Sequence, residues 1–368
     1  MTNVFDYLTW RGDLSFSQDP PNGVDGLIFS ALAYIRYGGN VETEPGSPLS
    51  LKEATEIFFD LPDHEARSRV MRDQELLAAA AKTRRFGESK ICLYRDQFIP
   101  EQETQFAAMT FLLDDGSVFL SFRGTDNSLV GWKEDFNMTF LQTIPAQRLA
   151  LQYTRQVAME WDGPMYLAGH SKGGNLAVFA AARSSPMVQS RIRQVYNNDG
   201  PGFTKYLMGD PGYLVMVPKI QTYVPQSSVI GMLLEHEEPY AVIHSESVGV
   251  LQHDLYTWDV VGKEFQTVEQ ITGTSRFLDA TIKAWFAGMT NQERNQLVDV
   301  MFTLLESGGA ENVRTLANPK HIRGYIKTVS SDEHLRRVLS TEFQSLIEAA
   351  KATRSRFEEP DERLKIDS

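Results

Sequence analysis

The chain has 368 residues, 42% of them hydrophobic and 23% charged, with a net charge of −12. That balance supports a packed globular core, and the length suits one large α/β domain with an accessory part. The negative field repels a phosphate backbone and an anionic bilayer, so neither nucleic acid nor an anionic lipid surface is an expected partner.

The first 25 residues read as a loop-rich lead-in with turn residues at Pro20, Pro21, Asn22 and Gly23. They lack a basic start followed by an apolar core, so no signal peptide is expected. No run of about 18 apolar residues occurs, so no membrane insertion is expected, and the expected location is the cytoplasm. Val24–Gly38, "SLKEATEIFFDL" and "DQELLAAAAKTRRFG" show helical spacing, the last with Lys82, Arg84 and Arg85 placed to suit a helix C-terminus. Cys92, the single cysteine, leaves no partner for an internal disulfide and reads as a core residue in an alternating apolar run.

The period then shortens. "KICLYRDQFI", "QFAAMTFLLDD" and "SVFLSFRGT" read as strands, with Asp115-Gly116 as a hairpin turn. "VGWKEDFNMTF" reads as a loop, "AQRLALQYTRQVAMEW" as a helix, "PMYLAG" as a strand and "GNLAVFAAARSS" as a helix. "IRQVYNND" and "IQTYVP" follow as strands. Strands alternating with helices predict right-handed crossovers and a mainly parallel sheet. From about Ser275 the pattern is helical, with capping-box pairs Thr290/Glu293 and Ser330/Glu333. The expected organisation is an α/β domain over residues 1–272 with N-terminal helices, and an all-helical extension over 273–368 packed on or beside it.

Gly169-His170-Ser171-Lys172-Gly173 fits G-x-S-x-G between a strand and a helix. A turn that tight holds its central residue in a sparsely allowed backbone conformation. The residues two before and two after must then be small, and Gly169 and Gly173 stand there. Gly174 lets the helix approach the sheet. Ser171 becomes an exposed nucleophile, and the Lys172 backbone N–H, at the helix start, one oxyanion donor. The Lys172 side chain is expected in solvent. A phosphate-binding P-loop fits poorly, because the order here is Ser-Lys-Gly-Gly.

A second oxyanion donor is required from a loop after an earlier strand. "FRGT" supplies Thr125, and Asp135 is spaced to accept its hydroxyl proton; the alternative is a turn with an Arg123–Asp135 salt bridge. F-R-G-T, a following Trp and Asp, and then G-H-S-x-G-G resemble class 3 lipases. Together with "WRGDLSF", "YNNDGPGF", "PQSSVIGMLLEH" and "QHDLYTW", these motifs are similar to the Mbeg1-like family of bacterial proteins in the α/β-hydrolase superfamily. The resemblance covers about residues 5–270. It implies an α/β-hydrolase fold, an oxyanion role for Thr125 and a supporting role for Asp135.

Chain order in that superfamily is nucleophile, acid, histidine. His170 lies inside the elbow, His64 precedes the strands, and His321 and His334 fall in the helical extension. His236, His244 and His253 are left. His253 precedes a tryptophan-containing stretch, as the histidine of class 3 lipases does, and is the expected base, with His244 the alternative. Class 3 lipases carry their acid as Asp-x-Val, but the matching place is Ser227-Ser228-Val229, which has no carboxylate. Asp199 ends the strand after the elbow helix, where pancreatic-type lipases place the acid, and is the expected acid; the alternative is an Asx turn.

No metal or dinucleotide motif occurs, and no cofactor is expected. The expected activity is serine hydrolysis of a small-molecule carboxylic ester or acyl lipid through an acyl-enzyme. A thioesterase or amidase would use the same residues, and an inactive binding or scaffold protein would keep the fold. Oligomeric state is not legible in the sequence.

Overall fold

A computed structural model describes residues 2–38, 48–126, 128–307 and 319–358. They divide into two compact units, Met1–Ile271 and Thr272–Ser368.

The first unit is built on a nine-stranded sheet whose strands lie in chain order. β1 (Leu49–Ser50), β2 (Lys90–Ile99), β3 (Thr104–Leu112) and β4 (Val118–Phe122) form an antiparallel meander. From β4 the pairing turns parallel through β5 (Met165–His170), β6 (Ile192–Asn198), β7 (Ile220–Pro225) and β8 (Tyr240–Ile243). β9 (Val260–Val261) and β10 (Glu264–Phe265) make a small hairpin, and β11 (Thr267–Val268) closes the edge antiparallel to β8. This is a mixed α/β architecture whose parallel centre is flanked by antiparallel strands.

Side chains alternate across the sheet and feed two cores, as period-2 strands covered on both faces require. Phe119, Ala168 and Tyr196 point into one core with the helix Gly23–Leu32, whose Phe29 ring lies 4.2 Å from that of Phe119. Leu120, Leu167 and Val195 point into the other, against the helices Pro145–Glu160 and Lys172–Arg183. Cys92 is buried, and burial pushes its thiol up to about 12.

Four local expectations change. The lead-in contains a helix, Val4–Arg11, closed by a capping box between Asn3 and Asp6. The helix expected to reach Gly38 stops at Leu32. The run through Gly87 is two helices, Met71–Ala81 and Arg84–Gly87, and Arg85 is not at the surface. Its guanidinium is buried, pairs with Asp25 at 2.6 Å and donates to the Asp19 carbonyl at 2.9 Å, tying down the N-terminal segment. The segment after β4 is a helix, Leu129–Asn137, capped by the Ser128 hydroxyl.

The second unit contains the helices Gly273–Ala287, Asn291–Ser307, Pro319–Ser331 and Glu333–Glu358. Thr290 and Glu293 exchange the expected capping bonds. At the next boundary Asp332, not Ser330, caps the helix by accepting the Leu335 N–H, and the Ser330 hydroxyl turns back to the Lys327 carbonyl. Among the described residues no helix is long and apolar enough to cross a membrane.

Candidate active site

β5 ends at His170 and the next helix begins at Lys172, so Ser171 alone makes the corner. Its backbone sits at φ 59°, ψ −134°, a conformation that costs a non-glycine residue about 1–3 kcal/mol and persists only where neighbours impose it. The neighbours are visible. The Ser171 N–H donates to the Asn198 carbonyl at 2.9 Å, and the Asn198 amide donates to the Gly169 carbonyl at 3.2 Å. A Cβ added at Gly169 would lie 2.0 Å from the Gly173 carbonyl carbon, and one at Gly173 2.1 Å from the Phe122 carbonyl oxygen. Both glycines are therefore steric requirements of the corner. Gly174 approaches the Asn197 side chain on β6, where a Cβ would meet its amide oxygen at 2.1 Å.

The loop after β4 lies against this corner. A Cβ at Gly124 would be 3.2 Å from that of Ser171. The next residue, Thr125, donates its hydroxyl to Asp135 Oδ2 at 2.5 Å. Arg123 takes no part in that pair: it is buried and grips Asp96 with two bonds of 2.6 and 3.0 Å. Burial pushes the Asp135 carboxyl up to about 6, against the opposing pull of Lys172 and the Thr125 hydroxyl.

Lys172 corrects an expectation. Its side chain is 1% exposed, not solvated. Nζ donates to Glu134 at 2.9 Å and to the Gln105 carbonyl at 3.0 Å, with Asp135 Oδ1 at 3.9 Å. Glu134, also sealed, accepts the Gln105 N–H at 3.1 Å and the Ala146 N–H at 2.9 Å. An ammonium and two carboxylates thus lock the elbow helix to the helix carrying Asp135.

On the other flank, Asp199 follows β6 in a left-handed conformation, φ 51°, and is fully buried. Its Oδ2 accepts the His253 Nδ1–H at 2.6 Å. Its Oδ1 accepts the Ser228 hydroxyl at 2.5 Å and the Gly231 N–H at 3.1 Å. Ser228 lies in the Ser-Ser-Val stretch that lacks a carboxylate. It does not replace the acid but caps it from across the loop.

His170 holds the other side of His253. Its Nε2 donates to the His253 carbonyl at 2.9 Å, its Nδ1 lies 3.0 Å from the Tyr34 hydroxyl, and the two imidazole rings lie 4.5 Å apart, tilted by 33°. Nε2 faces a carbonyl and must donate, so a neutral His170 accepts from Tyr34 through Nδ1. Burial, His253 and Arg69 all drive the His170 imidazole well below its ordinary value, in keeping with that neutral form. His244 pairs with Asp259 at 2.5 Å instead of Asp199. Ser171, Thr125 and His253 are half-buried, whereas Asp199 is sealed.

The structure therefore brings together two of the expected pairs, Thr125 with Asp135 and His253 with Asp199, beside the Ser171 corner. Sequence reasoning missed Glu134, Gln105, Tyr34 and Ser228. Gln105, Tyr34 and Ser228 reach the site from distant parts of the chain, Glu134 from the position next to Asp135 on the same helix, and the only signal for Ser228 was its place in the Asp-x-Val frame.

The profile of the family described as Mbeg1-like matches residues 80–303. No curated protein matches. Among solved structures, a mutant of MDLA from Penicillium cyclopium is similar at 13% identity, covering 66% of this chain and 83% of that chain, with a TM-score of 0.39. The native Rhizomucor miehei lipase propeptide complex is similar at 16% identity, covering 55% of this chain and 67% of that chain, with a TM-score of 0.35.

Proposed function

The chain belongs to the Mbeg1-like family, and we propose that it is a serine hydrolase that cleaves carboxylic esters through an acyl-enzyme on Ser171. The observation that carries this reading is the buried Asp199 carboxylate, bonded at 2.6 Å to Nδ1 of His253 beside the strained Ser171 corner. With Nδ1–H committed to Asp199, Nε2 of His253 is left with the lone pair a general base needs.

In this reading the Ser171 hydroxyl attacks the acyl carbon as its proton passes to His253 Nε2. Asp199 stabilises the imidazolium through Nδ1–H. The backbone N–H groups of Lys172 and Thr125 receive the negative charge on the carbonyl oxygen, at a helix start where the peptide dipoles favour it. Collapse expels the alcohol, protonated by His253, and water repeats the sequence to free the acid and regenerate Ser171. Thr125 is aimed by Asp135. A thioester would use the same steps.

The test is turnover of p-nitrophenyl esters of graded chain length by the full chain and by Ser171→Ala, together with fluorophosphonate labelling and mass-spectrometric site assignment. Label confined to Ser171, and turnover lost in Ser171→Ala, are expected. Unlabelled Ser171 in folded protein, or equal turnover in the variant, overturns the reading in favour of a binding or scaffold protein.

A further inference from the structure

The polar network under Asp199 extends past the residues the hydrolase reading uses. Gly231, whose N–H donates to Asp199, turns its carbonyl the other way and accepts the His236 Nε2–H at 2.8 Å. His236 Nδ1 in turn faces Glu238 Oε1 at 3.1 Å. Glu238 is buried and also accepts the Tyr213 hydroxyl at 2.5 Å and the Thr222 hydroxyl at 2.7 Å. Burial raises its carboxyl, but the His236 contact and these hydroxyls outweigh burial and hold it below the ordinary carboxylate range, so it faces His236 as an anion. Both ring nitrogens of His236 thus point at acceptors, a carbonyl and a carboxylate. Both are satisfied only when each carries a proton.

Two further contacts explain why the segment needs a clasp. Gly231 approaches Asp199 so closely that a Cβ there would lie 2.2 Å from Oδ1. Beyond it the chain passes through Leu234 at φ 65°, a left-handed conformation that a leucine rarely adopts. The Leu233–Glu235 part of the segment is tied to Gly202 and Phe203 by three backbone bonds of 2.8, 2.8 and 3.1 Å, and His236 is the side chain that holds the Gly231 carbonyl from behind.

We infer that His236, clasped between Glu238 and the Gly231 carbonyl, is a positioning residue that holds the Gly231 amide on Asp199 and so aims Asp199 at His253. The inference rests on reading Asp199 as the acid of the site. His236 touches neither substrate nor reacting atoms. It acts through Gly231, as the partners that orient a functional ligand do at metal sites, where removing one costs about 10–100-fold in activity or affinity.

The experiment compares the full chain with His236→Phe, which keeps a ring and removes both donors, and with Glu238→Gln, which removes the charge that clasps the imidazole. Two readouts are taken. The first is kcat and KM on p-nitrophenyl butyrate. The second is the far-downfield proton NMR signal of the His253 Nδ1–H bond to Asp199, assigned by its loss in Asp199→Asn. The His244–Asp259 bond, at 2.5 Å in another part of the sheet edge, supplies an internal reference signal. In His236→Phe the His253 signal is expected to shift or broaden while the reference stays. kcat is expected to fall about 10–100-fold, with KM within about twofold. Glu238→Gln should move both readouts the same way by less. An unmoved His253 signal with unchanged kcat in a folded His236→Phe overturns the inference and leaves the hydrolase reading standing. If His236→Phe does not fold, the same null result in Glu238→Gln overturns it. A wild-type chain without Ser171-dependent turnover, whose His253 signal still responds to His236→Phe, overturns the hydrolase reading and keeps the clasp.

Discussion

The two flanks of Ser171 are held by opposite means. On the flank of Thr125, the proposed oxyanion side, charge does the holding: Lys172, Glu134 and Asp135 meet in a cluster that fixes the loop bearing Thr125. On the flank of His253, the proposed acid–base side, a single carboxylate, Asp199, is held by a hydroxyl, an amide and an imidazole N–H. The difference matches what the proposed mechanism asks of each flank. In it the oxyanion donors are backbone N–H groups that never change charge, so formal charges can brace them permanently. The other flank, in the same proposal, accepts a transient imidazolium. A second charge next to Asp199 would compete for the interaction that stabilises it.

The sharpest way to break this comparison is Asp199→Asn. Asparagine tolerates the left-handed backbone and keeps the size, so the fold should hold. The amide cannot stabilise the imidazolium or fix the productive tautomer, and kcat should fall by about 10⁴-fold, as in the corresponding protease substitution. The check is kcat on p-nitrophenyl esters alongside a thermal melt. A variant that melts normally and keeps within tenfold of wild-type turnover would remove Asp199 from the acid role.

Lys172→Met should act the other way, on stability first. It strands Glu134, whose side chain is 0% exposed, without its cation. Breaking a buried pair from one side costs about 3–5 kcal/mol, whereas neutralising both partners is far milder. Urea unfolding of Lys172→Met, Glu134→Gln and the double variant should show the double variant more stable than Lys172→Met alone. Strict additivity of the two losses would mean that the pair does not brace the elbow.

How far this arrangement was legible in the sequence follows from the range of each interaction. The elbow is local: Gly169, Ser171 and Gly173 state their own steric problem within five residues. Thr125 and Asp135 lie ten residues apart, and their pairing could be anticipated although the helix between them, too short and irregular to show a period, read as a loop. Lys172 was misplaced because nothing near it in sequence neutralises a buried cation. Its partner Glu134 lies 38 residues away and is adjacent only across the fold; the burial of Arg85 against Asp25, 60 residues away, was illegible for the same reason. Asp199, the proposed acid, was hard to place for the same reason. The expected frame holds Ser228, and only the crossing of the 227–231 segment over the end of β6 explains why a serine there serves a carboxylate on the neighbouring strand.

The smallest effect tests the charged flank by pH. Burial raises the Asp135 carboxyl to about 6 in the folded chain, above its unfolded value of 3.8. A carboxyl raised on folding binds its proton more tightly in the folded state. Asp135 therefore penalises folding above about pH 6, and the penalty fades as pH falls from there towards the unfolded value. Its side chain is 24% exposed, so solvent softens the effect to on the order of 1–2 kcal/mol. In Asp135→Asn that dependence is gone. Measured from pH 7.5 down to pH 4.5, the stability of the wild type should rise relative to Asp135→Asn, although both lose stability from other groups. A difference that stays flat, or moves in favour of the variant as pH falls, would mean that Lys172 and the Thr125 hydroxyl offset burial fully and keep Asp135 an ordinary carboxylate. The two flanks would then differ in geometry but not in how they titrate.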